Sequence, residues 1–362
     1  MPIRCLISVM LAACLLLTVS VEALAQPQIT DALRRAERIA PGSPEERQIR
    51  QFCEHWVSQM LAYDGEGDGD GLVAVAAARS QLVSVFETTL STAFRRVYER
   101  ILGGLLVSAL EHEHMVVRLN SMVVASHFRT DAVVPLLESA AEDANAAVRY
   151  WSARTANLMV EAARDELRVD PAILAEDLQH ELLRILGPMV AAETSPWIFR
   201  QVTAALAPLS IHEADTVLLE GLIERLHLYQ RRPDIPITGV YTALDRVSLK
   251  RFPRFDQVDE ATRRLIVRTA FLYMRAYTTL SRADNGIDAE DEAWRRLATR
   301  ANNVLFPWCE AMNAPRDRMP PIIRRTAARA AVLWQARFDW EDDVLIPHLN
   351  FTSQELALPD VR

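Results

Sequence analysis

Glycine is scarce in this chain, 11 among 362 residues, so few positions suit the left-handed turns of tight hairpins and phosphate-cradling loops. No Gly-x-Ser-x-Gly elbow, phosphate loop, dinucleotide fingerprint, Ser-x-x-Lys pair or His-Glu-x-x-His helix occurs. The common enzyme plans are therefore missing, and no cofactor is expected. Lysine is nearly absent: Lys250 stands alone beside 39 arginines. Those arginines are spread over every segment, so a single one carries no binding signal. A net charge of −8 argues against a general polyanion binder and hence against nucleic acid. Four cysteines are too few for a disulfide framework in a chain of this length. What is abundant is apolar side chain, half of all residues, enough for a large core in a helical protein.

The amino terminus reads as a targeting segment. Arg4 and the α-amino group precede Cys5 to Val21, 17 residues without charge, and Ala23 and Ala25 supply the small residues a signal peptidase reads. Cleavage after Ala25 is expected, which places the protein in the periplasm or another extracytoplasmic space. The apolar run falls short of the roughly 20 residues needed to cross a bilayer, so no stable membrane span is expected after cleavage. Leu11-Ala12-Ala13-Cys14 resembles a lipobox, yet the apolar run continues to Val21, where a lipoprotein would turn polar at once. Cys53 and Cys309 remain in the mature chain, and in an extended helical array they would lie too far apart for a disulfide.

Along the mature chain helix follows helix. Ser43-Pro44-Glu45-Glu46 forms a capping box that starts a helix running to about Tyr63. Ala93, Phe94, Val97, Tyr98, Ile101, Leu102, Leu105 and Leu106 make one stripe at helical spacing. Further helices are expected near 114–128, 131–141, 145–163, 171–187, 196–207, 212–230, 259–281, 289–311 and 321–339. This gives an amino-terminal hairpin at 26–63, an acidic Gly-rich linker at 64–71, a helical array at 72–230, a basic and aromatic insertion at 231–258, and a second array with its cap at 259–362.

Glu111-His112-Glu113-His114-Met115-Val116-Val117-Arg118 is echoed 31 residues later by Glu142-Asp143-Ala144-Asn145-Ala146-Ala147-Val148-Arg149. A period in this range points to stacked helix pairs. The stretch from Ala132 through Pro135, Leu136 and Leu137 to Asp143, Val148 and Arg149 resembles a HEAT repeat, most clearly over 132–159 and next over 101–128, where His112 replaces the turn aspartate. The resemblance implies an all-α fold, an irregular α-α superhelix of the armadillo type. It also implies structural ladder roles for Pro135, Asp143, Val148 and Arg149, and for Val117 and Arg118 in the preceding unit.

Four places carry more than regular structure. The run Asp64 to Gly71 alternates carboxylates with glycine like a calcium loop, but the twelfth position is Val75, where the closing bidentate Glu belongs, so a linker is expected. His112 and His114, two apart, would point about 200° away from each other on a helix and share no metal ion. The acidic run Phe338 to Asp343 suits a polar cap that ends an array. The segment 231–258, without helical periodicity, gathers Arg231, Arg232, Lys250, Arg251 and Arg254 with Tyr241, Phe252 and Phe255, and Arg and aromatics are favoured at interface hot spots. These eight are the candidate partner-binding residues. The expected function is an exported, non-catalytic helical scaffold that binds another protein; the competing reading is an all-helical envelope enzyme using two carboxylates on a glycan or lipid.

Overall fold

The structure, a computed structural model, describes residues 27–65, 69–167, 175–237, 239–283, 286–324 and 328–359. Among them every regular element is a helix, and none is long and apolar enough to cross a membrane. Residues 1–25, with Ala23, Ala25 and Cys14, lie outside the described residues, as do Glu66 to Asp68 of the acidic run. The chain divides into two compact units, one ending at Val124 and the other beginning at Ala125. That boundary falls inside the stretch read from periodicity as one array.

In the first unit, α1 (Pro44–Leu61) packs on α2 (Asp70–Ser84) and α3 (Thr92–Leu110), and α4 (Met115–Ala125) follows. The Ser43 hydroxyl accepts from the Glu46 N–H at 3.2 Å, as the capping box requires. The Glu46 carboxylate reaches one residue further back than expected: it takes the Gly42 N–H and pairs with Arg100 at 2.7 Å. The α3 stripe turns Phe94, Tyr98, Ile101, Leu102 and Leu106 inward, with Ala93, Val97 and Leu105 at its edges. Tyr98 is fully buried and donates to the Leu82 carbonyl at 2.9 Å, which ties α3 to α2. Asp70 and Gly71, read as linker, are instead the first turn of α2.

The second unit continues through α5 (Val134–Ala141), α6 (Ala146–Leu167), α7 (Glu176–Ala192), α8 (Pro196–Leu206), α9 (His212–Glu224) and α10 (Leu226–Arg231). It ends with α11 (Val240–Arg251), α12 (Glu260–Leu280), α13 (Glu292–Ala311), α14 (Ala330–Phe338) and α15 (Ile346–Leu349). The substantial helix pairs are close in chain order: α5 on α6 and α7, α6 on α8, α7 on α8 and α9, α9 on α12, α11 and α12 on α13. α12 is the most deeply set, with Tyr273 and Tyr277 fully buried and each donating to a backbone carbonyl. One difference from expectation concerns 321–339, where the helix starts only at Ala330. Pro320 and Pro321 exclude helix around them, and the Asn302 and Asn303 side chains bond the backbone of Pro321 and Ile323 instead. Cys53 and Cys309 are buried free thiols, one in each unit, as expected, and burial raises both thiol pKa values.

The 31-residue echo recurs in the hydrogen bonding. Arg118 donates from Nη1 to the His112 and Glu113 carbonyls at 2.8 Å, and Arg149 does the same to Asp143 and Ala144 at 2.9 and 3.0 Å. The His112 Nδ1 accepts from the His114 N–H at 3.1 Å, where the Asp143 carboxylate accepts from the Asn145 N–H at 2.7 Å. An imidazole thus replaces a carboxylate as the acceptor of one turn. Val117 and Val148, just before each arginine, are fully buried, and Pro135 sits in the first turn of α5.

The deepest charge in the second unit is Arg225, fully buried at the break between α9 and α10. It donates to the carbonyls of Val190 and Glu193, at the end of α7, and to the Tyr229 hydroxyl at 2.9 Å. Its guanidinium stacks 4.0 Å from the centre of the Phe199 ring on α8. The buried Glu193 takes the Arg149 Nε at 2.9 Å and caps the Ser195 N–H at 2.9 Å. Replacing Arg225 by Leu orphans two carbonyls at about 1–3 kcal/mol each. Urea unfolding is expected to show a loss of about 2–6 kcal/mol against about 1 kcal/mol for Tyr229→Phe; equal losses would show that the node does not hold the helices.

Capping carboxylates make the fold acid-sensitive. Asp259 caps α12 by accepting from the Thr262 N–H at 2.8 Å, which, with the Thr262 hydroxyl and His212 beside it, holds its carboxyl below the usual range. Glu46 and Glu355 are lowered likewise by the Gly42 and Thr352 N–H groups and by the nearby Arg100 and Arg264. A lowered folded pKa gives stability that is full above the unfolded value of about 4 and is lost as pH falls through the folded value. The thermal midpoint is therefore expected to drop below about pH 4, and less steeply in Asp259→Ala, which also loses about 1 kcal/mol at neutral pH with its cap.

Candidate functional site

The segment 231–258 is built differently from the expectation of an aperiodic insertion. It contains α11, which starts at Gly239 with φ +92°, a conformation glycine adopts freely and other residues rarely. A 3₁₀ stretch, Phe252–Gln257, follows and breaks at Arg254. Two of the predicted contact residues point inward: Lys250 and Arg251 converge on Asp215 of α9, which is 1% exposed. Lys250 lies 3.2 Å from one carboxylate oxygen and also donates to the Leu209 carbonyl, while Arg251 takes the other oxygen. Burial lowers the Lys250 pKa, and the Asp215 charge opposes that shift. These three charges join α9 to α11 and are structural.

The remaining candidates divide by exposure. Phe255 packs at a tilt against Trp308 at 5.3 Å and lies under Arg263 at 4.2 Å. Phe252 also touches Trp308, at 5.9 Å, yet remains 40% exposed. Arg231, Arg232 and Arg254 face solvent; Arg232 is held by Asp234 at 2.9 Å. The Tyr241 side chain lies outside the described residues. Arg246, Leu249 and Phe252 recur at three-residue spacing with Leu249 58% exposed, so an apolar pair flanked by Arg246 and Arg254 faces outward from the end of α11.

A second outward face escaped the sequence reading. Trp197, in the first turn of α8, is 66% exposed, and Arg200 is exposed three residues on. The apolar stripe of α8 comprises Ile198, Phe199, Val202, Ala205 and Leu206. Trp197 lies off that stripe, and a helical projection of 196–206 would have singled it out. Beside it, the buried Asn157 of α6 bridges Glu161 at 2.9 Å and Gln201 at 3.1 Å. A Cβ at Gly239, just before α11, would lie 3.9 Å from the Arg200 Cα, so the two segments pass close to each other.

Clefts in the second unit bear on the enzyme alternative. One of about 370 Å³, between α5 and α7, holds Glu138, Glu142 and Glu193, but Glu138 is paired with Arg184 at 2.7 Å and Glu193 with Arg149 at 2.9 Å. The Arg184 guanidinium keeps Glu138 below the usual carboxylate range, opposite to what a general acid needs. A second, of about 510 Å³, lies between α9 and the carboxy-terminal segment and contains Glu220 and Glu224. Among the described residues no three His, Cys, Asp or Glu side chains come together as metal ligands. His112 and His114 do not diverge as on a helix: they occupy a turn with ring centres 5.4 Å apart, because the backbone between α3 and α4 is not helical there.

Arg251→Glu is expected to place two carboxylates together in a buried site and to cost about 3–5 kcal/mol, whereas Arg254→Glu stays within about 0.5 kcal/mol. Thermal unfolding of both variants separates a structural from a surface role, and equal midpoints would contradict the assignment. No protein-family model, curated protein or solved structure matches the chain, so its function is argued from these surfaces.

Proposed function

We propose that this chain is an exported helical-repeat scaffold of HEAT-like kind, non-catalytic, which binds a protein partner in the cell envelope. The observation that carries the reading is the packing order of the second unit, in which helices pack substantially only on those within three places along the chain. Stacks of that kind expose long helical faces suited to partner binding. The matched Arg118 and Arg149 turns support a repeating unit. Export rests on the charge-free run before Ala23 and Ala25. The contact surface comprises Trp197 and Arg200 on α8, and Arg246, Leu249, Phe252 and Arg254 at the end of α11. It combines the two residue types that dominate interface hot spots, and none of its three arginines has an ion-pair partner among the described residues.

Amine-directed crosslinkers are unsuited to the test, because Lys250 is the sole lysine and is bonded to Asp215. A photoreactive residue at Trp197 or Leu249 is expected to capture the same envelope protein in cells, while one at Glu181, whose side chain is 43% exposed on α7, does not. Trp197→Ala with Arg200→Ala should weaken that capture at Leu249 at least about tenfold with the thermal midpoint unchanged. The scaffold chain recovered in the crosslink should begin at Gln26. Equal capture from all three positions would overturn the binding surface, and a chain beginning at Met1 would overturn export.

A further inference from the structure

The cleft of about 510 Å³ beside the carboxy terminus is a built feature. One wall is the segment after α15, which α12 holds by its arginines: Arg264 donates to the Leu349 carbonyl and pairs with Glu355 at 3.1 Å, Arg268 donates to the Glu355 carbonyl at 2.8 Å, and Arg275 to the Leu356 carbonyl at 2.8 Å. Leu356 is fully buried, and Phe351 is buried beneath Arg264. The opposite wall is α9 and α10, which contribute Glu220, Glu224 and His227.

The charges in this cleft are unmatched, unlike those of the cleft between α5 and α7. Glu220 and Glu224, one turn apart on one face of α9, are exposed and enter no ion pair among the described residues. The His227 Nδ1 is buried and has no hydrogen-bond partner among the described residues. Arg268 uses only its Nε on the Glu355 carbonyl, and neither terminal nitrogen is engaged among the described residues. Ile223, Leu358 and Pro359 supply apolar wall between these groups. Two free carboxylates and an open guanidinium around an apolar strip complement a molecule with a cationic end, an anionic end and an apolar body.

We propose that this cleft binds a small zwitterion, an amino acid or dipeptide. Its ammonium lies between Glu220 and Glu224, its carboxylate on Arg268, and its side chain against Ile223 and Leu358. A space of this size is in the range of small-molecule sites. The proposal is independent of the scaffold reading, since it uses none of the α8 or α11 surface residues.

Titration calorimetry on the mature chain with leucine and with the dipeptide Ala-Leu tests it. At least one of them is expected to bind at micromolar to millimolar concentration. Leucinamide, which lacks the carboxylate, and N-acetyl-leucine, which lacks the ammonium, should each bind at least about tenfold more weakly. Glu220→Gln with Glu224→Gln should abolish zwitterion binding and leave the thermal midpoint unchanged, because both side chains are exposed. No heat from either zwitterion, leucinamide binding as tightly as leucine, or unchanged binding by the double variant would each overturn the proposal.

Discussion

The second unit depends on one buried guanidinium. The peptide carbonyls at the end of a helix have no intrahelical donor, and when that end is packed inside the protein a donor must come from elsewhere in the chain. Arg225 provides it for α7, through Val190 and Glu193, while its flat face covers Phe199 and its Nε engages Tyr229. One side chain thereby fixes α7, α8 and α10 relative to each other. The Glu193 carboxylate extends the node to Arg149 and the start of α6. Lysine has one point of charge and no planar face, so it would not substitute here.

The same use of arginine recurs along the chain and gives the arginine-rich composition a structural role. Arg118 and Arg149 close turns by bonding two carbonyls each, and Arg264, Arg268 and Arg275 pin the carboxy-terminal segment to α12. Many of the cations thus serve backbone oxygens rather than external anions. Lys250 differs because its site is narrow: a compact ammonium between the Leu209 carbonyl and one oxygen of Asp215 leaves the other oxygen for Arg251.

Where the sequence is legible, periodicity and capping agree; where it is not, a tertiary contact decides. The α3 stripe and the Ser43 cap can be read directly because both are local. α2 is missed because Asp70–Ser84 carries Ala and Val all round and buries only Val75, Ala78 and Leu82, so no apolar face stands out. The late start of α14 follows from Asn302 and Asn303, whose bonds to Pro321 and Ile323 span about twenty residues and leave no local trace. The basic segment misleads for the same reason: the partner of Lys250 and Arg251 is Asp215, 35 residues upstream of Lys250. Residue type alone cannot separate these two from the exposed Arg246 and Arg254. Of the candidate surface, Phe252 and Arg254 are legible as residue types, whereas Trp197 requires its helix to be drawn in projection.

These contacts also decide where function is to be sought. A charge satisfied inside the fold does not strengthen when a ligand arrives, because its favourable interactions are already made. This removes Asp215, Lys250, Arg251, Glu193 and Arg225 from consideration, however prominent their chemistry. Among the described residues, two groups of charges without an ion-pair partner stand beside apolar surface, and they differ in composition. On α8 and α11 they are arginines set beside exposed Trp197, Leu249 and Phe252, the pattern of a broad contact with another macromolecule. At the carboxy-terminal cleft they are carboxylates facing an arginine across a small apolar space, the pattern of a ligand held at both ends. The two do not compete for any residue, so a partner on the helical face and a small molecule in the cleft can be bound by the same chain at once.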